Sequence, residues 1–158
     1  MDIHVGITGL RNLQGYQTAA LERAAERELT RLRQGRDRCV LLSSLARGAD
    51  QLCARIGLAL GYALVCPLPF ADYRRDFTGD DLIQYNTLLR QAGKAVVVSE
   101  GTQTDAAYLA AGRYVVDHCD VLLAVWDGAA QQSICGTQAV IAYARQRQTP
   151  VIILTPDD

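Results

Sequence analysis

Four stretches of this sequence carry side chains suited to holding or transforming a ligand. The first is Thr8-Gly9-Leu10-Arg11-Asn12. Gly9 lets the backbone turn tightly, and Arg11 offers a guanidinium fork matched to phosphate. The second is Ser43-Ser44-Leu45-Ala46-Arg47-Gly48-Ala49-Asp50. Two hydroxyls are followed by a glycine that brings a helix N-terminus close, an arrangement favourable to anions. Ser44 and Asp50 as plain helix caps are the competing reading, and Asp50, being negative, tunes or caps rather than touching a phosphate. The third is Ser133-Ile134-Cys135-Gly136-Thr137, where Gly136 and Thr137 offer backbone N–H groups and a hydroxyl to a phosphate or ribose, or else cap the next helix. The fourth is Trp126-Asp127-Gly128. The single tryptophan offers a surface for a purine and Asp127 an acceptor for ribose hydroxyls, or the pair is a core tryptophan and a turn.

These stretches must be positioned by the elements between them. Short β-branched runs alternate with longer amphipathic ones. Strands are expected over Ile3 to Thr8, Cys39 to Leu42, Ala63 to Cys66, Ala95 to Val98, Val121 to Val125 and Val151 to Leu154. Helices are expected from about Gln17 to Gln34, from Gly48 to about Leu60, from about Asp80 to Gln91, from Asp105 to His118 and from Thr137 to Gln146. In the first, Leu21, Ala25, Leu29 and Leu32 recur at helical spacing, with charges between them giving a solvated face. Pro67 and Pro69 close the third strand, and an irregular stretch rich in Asp, Arg and aromatics fills 69–78. Strands apolar on both faces that alternate with helices predict a three-layer, doubly wound, mainly parallel α/β sheet. One domain over residues 1–158 is expected, with no internal repeat or linker. In such a sheet ligands bind beyond the carboxyl ends of the strands, where all four stretches fall.

Composition narrows the function. Apolar residues make up 49% and charged residues 21%, a globular balance. Sixteen basic and 17 acidic side chains leave a net charge of −1, which argues against a broad grip on duplex DNA. Lys94 is the single lysine among the basic residues. No apolar run is long enough for a membrane helix, and the start reads as a strand rather than a leader. Cys39, Cys53, Cys66, Cys119 and Cys135 form no CxxC pair. The first four sit among apolar neighbours, so reduced thiols in a cytoplasmic protein are expected, with Cys135 the accessible one. Two histidines without ligand spacing, His4 and His118, make a metal site unexpected, and both read as structural. The chain lacks GxGxxG after the first strand, GxxxxGK[ST] and GxSxG, which disfavours a dehydrogenase, a P-loop NTPase and an α/β-hydrolase. No cofactor is expected.

Taken in order, Ile7-Thr8-Gly9-Leu10-Arg11, then Ser43 to Asp50, Leu68-Pro69-Phe70 with Tyr73 and Asp76-Phe77, Ala124 to Gly128 and Gly136-Thr137 resemble the SLOG superfamily of Rossmann-like proteins over nearly the whole chain. The second stretch is similar to the SGLARG-D segment of DNA-processing protein A. The last is similar to the glycine-threonine loop of Lonely Guy enzymes. Leu-Pro-Phe and Trp-Asp-Gly look most like small stand-alone bacterial members. The resemblance implies a nucleotide or nucleotide-derived ligand, bound for sensing or for hydrolysis of an N-glycosidic bond. It makes Gly9, Arg11, Ser43, Ser44, Gly48, Gly136 and Thr137 binding candidates. The sequence departs from the enzyme branch where Cys135 replaces a glycine and Gln138-Ala139-Val140 stand in place of a glutamate.

The expected function is therefore binding of a nucleotide-derived small molecule. Phosphate would lie on the turns at Thr8, Gly9 and Arg11, at Ser43, Ser44 and Gly48, and at Gly136 and Thr137. The base would sit near Trp126 or the aromatic 70–77 stretch. A nucleoside-monophosphate phosphoribohydrolase is the alternative, and it needs a carboxylate at the ribose, for which Asp127 is the candidate. A DNA-binding module, with Arg33, Arg36, Arg38 and Arg47 as its patch, is the third reading. A homodimer is the expected assembly, with the alanine-rich helix over 105–118 serving either as its interface or as core.

Overall fold

A computed structural model describes residues 1–129 and 136–156. Six strands form one sheet, β1 (Ile3–Gly9), β2 (Cys39–Leu42), β3 (Ala63–Leu68), β4 (Lys94–Val97), β5 (Val121–Val125) and β6 (Val151–Leu154). Five helices connect them, α1 (Thr18–Arg33), α2 (Ala49–Ala59), α3 (Gly79–Gln91), α4 (Asp105–Asp117) and α5 (Thr137–Gln146). The strand order is β4-β3-β2-β1-β5-β6, and every neighbouring pair is parallel.

The chain builds outward from β1 to β4, then crosses back to add β5 and β6 on the other side of β1. Right-handed crossovers taken in opposite directions put their helices on opposite faces. Side-chain alternation along the strands matches. Ile3, Val5 and Ile7 of β1 pack with Leu21, Ala25 and Leu29 of α1 and with Leu52, Cys53 and Ile56 of α2. Val40 and Leu42 of β2 and Leu122 of β5 pack the other way, against Val115 and Val116 of α4 and Val140 and Ala144 of α5. The interior strands are apolar on both faces for this reason. Edge strand β4 is mostly exposed and begins at the only lysine, a charge that discourages pairing with another chain.

Several element ends shift by a residue from the sequence expectation, and two regions differ further. Strand β3 does not stop before Pro67 but runs on to Leu68. The carbonyls of Leu64 and Leu68 accept from β4-side residues Gly93 and Val98, while that of Val65 accepts from Ser43 on the β2 side. By alternation Pro67 faces the β2 side, beyond the last β2 residue, Leu42, so its missing N–H breaks no ladder. The irregular 69–78 stretch contains a 3-10 turn, Tyr73–Asp76. Phe70, Tyr73 and Phe77 there are buried and meet edge to face, Tyr73 and Phe77 with ring centroids 5.0 Å apart. The aromatics of this stretch therefore serve as core.

Candidate functional site

The connections from β1 and β5 leave in opposite directions, which opens a crevice beyond their carboxyl ends. A cleft of about 450 Å³ lies there. Thr8 and Gly9 from the end of β1 and Arg11 from the following turn line it, with Ser44 and Ala46 after β2 and Gly136 and Thr137 at the start of α5. Ala111, Gly112 and Val115 of α4 and Val140 of α5 give it an apolar wall. Helices α4 and α5 approach closely at Gly112, where a Cβ would stand 2.7 Å from Val140 Cγ2.

Six of the expected residues thus meet at one cleft: Thr8, Gly9, Arg11, Ser44, Gly136 and Thr137. Two others hold its walls. Ser43 is fully buried, its hydroxyl donating to the Asp50 carbonyl at 3.1 Å and accepting from the Leu45 N–H at 3.1 Å. Gly48 is the N-cap of α2 with φ +84°, and a Cβ there would lie 2.5 Å from the carbonyl oxygens of Leu10 and Arg11. Only glycine fits that position. The N-terminus of α2 is committed to the chain itself, since the Ala49 N–H donates to Leu10 at 3.0 Å and the Gln51 N–H to Ala46 at 3.2 Å. Neither Ser44 nor Asp50 caps this helix. Between Ser43 and Gly48 the buried Leu45 adopts φ +58°, a strained conformation for a bulky residue.

Trp126 and Asp127 border neither this cleft nor the larger cavity beside it. The indole N–H donates to the Ala129 carbonyl at 3.1 Å. Asp127 accepts from the Tyr16 hydroxyl at 3.1 Å and from the Ala129 N–H at 2.9 Å. Cys135, with Ser133 and Ile134, falls outside the described residues. Cys39, Cys53 and Cys66 are buried, and Cys119 is half-buried. His118 Nδ1 lies 2.8 Å from the Tyr114 carbonyl, with its ring stacked on Tyr114. His4 lies at the far end of β1.

Two residues gain importance that the sequence alone did not give them. Asp50, in the first turn of α2, lines the cleft, is only 8% exposed and has one carboxyl oxygen, Oδ1, buried without a hydrogen-bond partner. Burial raises its pKa from 3.8 to about 7, opposed by the Arg11 charge and the Ala46 backbone. Its signal in the sequence was its spacing. Cys53, Ala54 and Gly57 follow at three, four and seven residues, so Asp50 is the one charge on an apolar helix face. The second is Tyr108. It borders both the cleft and an outer cavity of about 940 Å³, as do Arg11, Ala46 and Tyr73. The Arg11 guanidinium carbon lies 5.1 Å from the Tyr108 ring centroid, and the Tyr108 hydroxyl donates to Asp76.

No family profile matches the chain, and no curated protein matches its sequence. Solved structures do. DNA processing protein A from Helicobacter pylori, described for its single-stranded DNA binding, superposes with a TM-score of 0.67 at 18% identity, over 96% of this chain and 64% of that one. The Streptococcus pneumoniae protein of the same name gives 0.65 at 13% identity, over 96% of this chain and 50% of that one. The molybdenum cofactor carrier protein from Chlamydomonas reinhardtii gives 0.59 at 16% identity, over 98% and 78%. The chain shares the Rossmann-like fold of these proteins. The chain spans less than two thirds of the length of the DNA processing proteins it matches, 64% of one and 50% of the other. Among the described residues no helix is long and apolar enough to cross a membrane.

Proposed function

We propose that this chain binds a nucleotide or nucleotide-derived ligand in the cleft beyond β1 and β5, with its phosphate between Arg11 and the start of α5. The observation that carries this reading is the convergence of Thr8, Gly9, Arg11, Ser44, Gly136 and Thr137 on one cleft of about 450 Å³. That volume suits a small molecule. Arg11 supplies counter-charge, Ser44 and Thr137 supply hydroxyls, and the positive end of α5 supplies backbone N–H donors. Helix α2 is left out of the anion site, because its Ala49 N–H donates to the Leu10 carbonyl and its Gln51 N–H to that of Ala46. We place the base beside Tyr108, which is half-buried and borders both the cleft and the outer cavity. Phe70, Tyr73 and Phe77 are buried core residues that reach only the wall of the outer cavity or cleft, and Trp126 does not line the cleft.

A small ligand is favoured over a DNA strand by the charge of the outer cavity. Arg11, Arg47 and Arg75 there are matched by Asp72, Asp76 and Asp81. A strand tracked by its phosphates needs a surplus of positive charge. Binding is favoured over N-glycoside hydrolysis because Asp127 is held by Tyr16 and Ala129, away from the cleft.

The test is thermal unfolding against AMP, GMP, ADP-ribose, NAD and cyclic dinucleotides. A ligand at about one hundred times its dissociation constant stabilises by roughly 2.7 kcal/mol. For a domain of this size that is on the order of 5–10 °C. A shift of that size with at least one compound is expected. A folded protein whose melting temperature none of them moves overturns the proposal.

A further inference from the structure

Asp50 is a carboxyl group in the wall of the cleft, more than nine-tenths buried, with Oδ1 lacking any hydrogen-bond donor. A carboxylate left so is costly, and the cost is removed either by a donor or by a proton. The groups that face it come from several elements. Among the described residues Arg11, on the turn after β1, is the cation acting on it, and the Ala46 N–H is the backbone donor. Cys53 on its own helix and Cys66 on β3 are both pushed up to about 12 by burial, and Tyr73 on the 3-10 turn is raised well above 10. These three stay neutral through pH 9, so within this group only Asp50 changes charge near neutrality.

An anion docked beside Arg11 changes that balance twice. It draws the guanidinium charge away from Asp50, and it adds a negative charge within the same small chamber. Both effects disfavour the carboxylate. We propose that Asp50 is the cleft's proton-holding group: it takes up one proton from solvent as an anionic ligand binds, and the O–H so formed donates to an acceptor oxygen of that ligand. This rests on the anion site proposed above and deepens it. The ligand class is one that combines a phosphate-like anion with a nearby acceptor such as a second phosphoryl oxygen or a sugar hydroxyl. With Asp50 half-ionised near pH 7, affinity falls as pH rises. The fall approaches tenfold per pH unit between the free and the ligand-bound midpoints.

The experiment is ¹³C NMR of the aspartate carboxyl carbons from about pH 5 to about pH 9, with and without sulfate at constant ionic strength. Sulfate remains a dianion throughout and so adds no titration of its own. The Asp50 signal is assigned by its loss in Asp50→Asn. Backbone amide signals of Arg11 and Thr137 report independently whether sulfate has bound. The expected result is a midpoint near 7 without sulfate that rises by about one unit or more with it. Sulfate binding to Asp50→Asn is expected to lose its pH dependence. A midpoint that stays put while Arg11 and Thr137 respond overturns the coupling and leaves the anion site standing. No response at Arg11 or Thr137 overturns the anion site and the coupling together, while the Asp50 titration itself is still read.

Discussion

Replacing Asp50 by asparagine should make the protein more stable, and the gain should depend on pH. The carboxyl is buried and its pKa stands near 7 in the folded chain against 3.8 ordinarily. A group raised in this way contributes stability that is complete below about pH 4. That contribution is lost as pH rises through about 7, because the unfolded chain ionises freely and the folded chain does not. A shift of about three units, at 1.36 kcal/mol each, makes the loss about 4 kcal/mol by pH 8. Asparagine has nearly the same shape and no charge to bury, so it escapes the loss. For a chain of this length each kcal/mol is worth roughly 2–4 °C in melting temperature. Asp50→Asn should therefore melt on the order of 10 °C above the parent at about pH 8, with the gap shrinking to a few degrees by about pH 5. Urea unfolding of both proteins at several pH values reads this directly. A constant difference between the two across that range refutes the reasoning, as does a variant less stable than the parent at pH 8.

Arg11→Ala should weaken ligand binding by tenfold or more in calorimetry with little change in unfolding midpoint at about pH 5, where Asp50 is protonated in both folded proteins, since Arg11 is exposed. The same variant should raise the Asp50 titration midpoint in the carboxyl NMR experiment, because the guanidinium is the main influence lowering it. Gly48→Ala forces a Cβ to within 2.5 Å of the Leu10 and Arg11 carbonyls at a positive φ, so it should cost at least about 1–3 kcal/mol in chemical denaturation and disturb binding by moving the Arg11 turn. AMP incubated with the protein should release no free adenine by chromatography. Release that survives in Asp127→Asn and stops in Asp50→Asn would transfer the hydrolytic role to Asp50.

Most of the fold was legible because its signals are local and repeated. Runs such as Val121 to Val125, apolar at every position, mark strands covered on both faces, and the Leu21, Ala25, Leu29 stripe marks a helix lying on them. Gly48 was legible as a close approach, but not what it approaches, and Gly9, read as a tight turn, instead closes β1 against Ala49. Gly48 packs against the Arg11 turn, far away in sequence, which is why a helix start that looked ready for an anion proves occupied by backbone. Ser43 and Ser44 are adjacent and chemically equal in sequence. Beyond the end of β2 the first turns inward onto the Asp50 carbonyl and the Leu45 N–H, while the second lines the cleft. Trp126 and Asp127 were drawn to the site by residue type, yet the chain beyond β5 pairs them with Ala129 and Tyr16. Asp50 was read as a cap because the segment before it looked like a helix start. Its burial depends on α2 packing against β1 and β3, which no local window contains.

The most direct test of where a ligand sits is a map of assigned backbone amide shifts during titration with the most stabilising nucleotide of the panel. The account predicts that the changes concentrate at Thr8 to Arg11, at Ser44 to Ala46 and at Gly136 and Thr137, with a smaller set around Tyr108. Changes confined to the exposed β4 edge, or to the turn of Trp126 and Asp127 with the cleft silent, would contradict it.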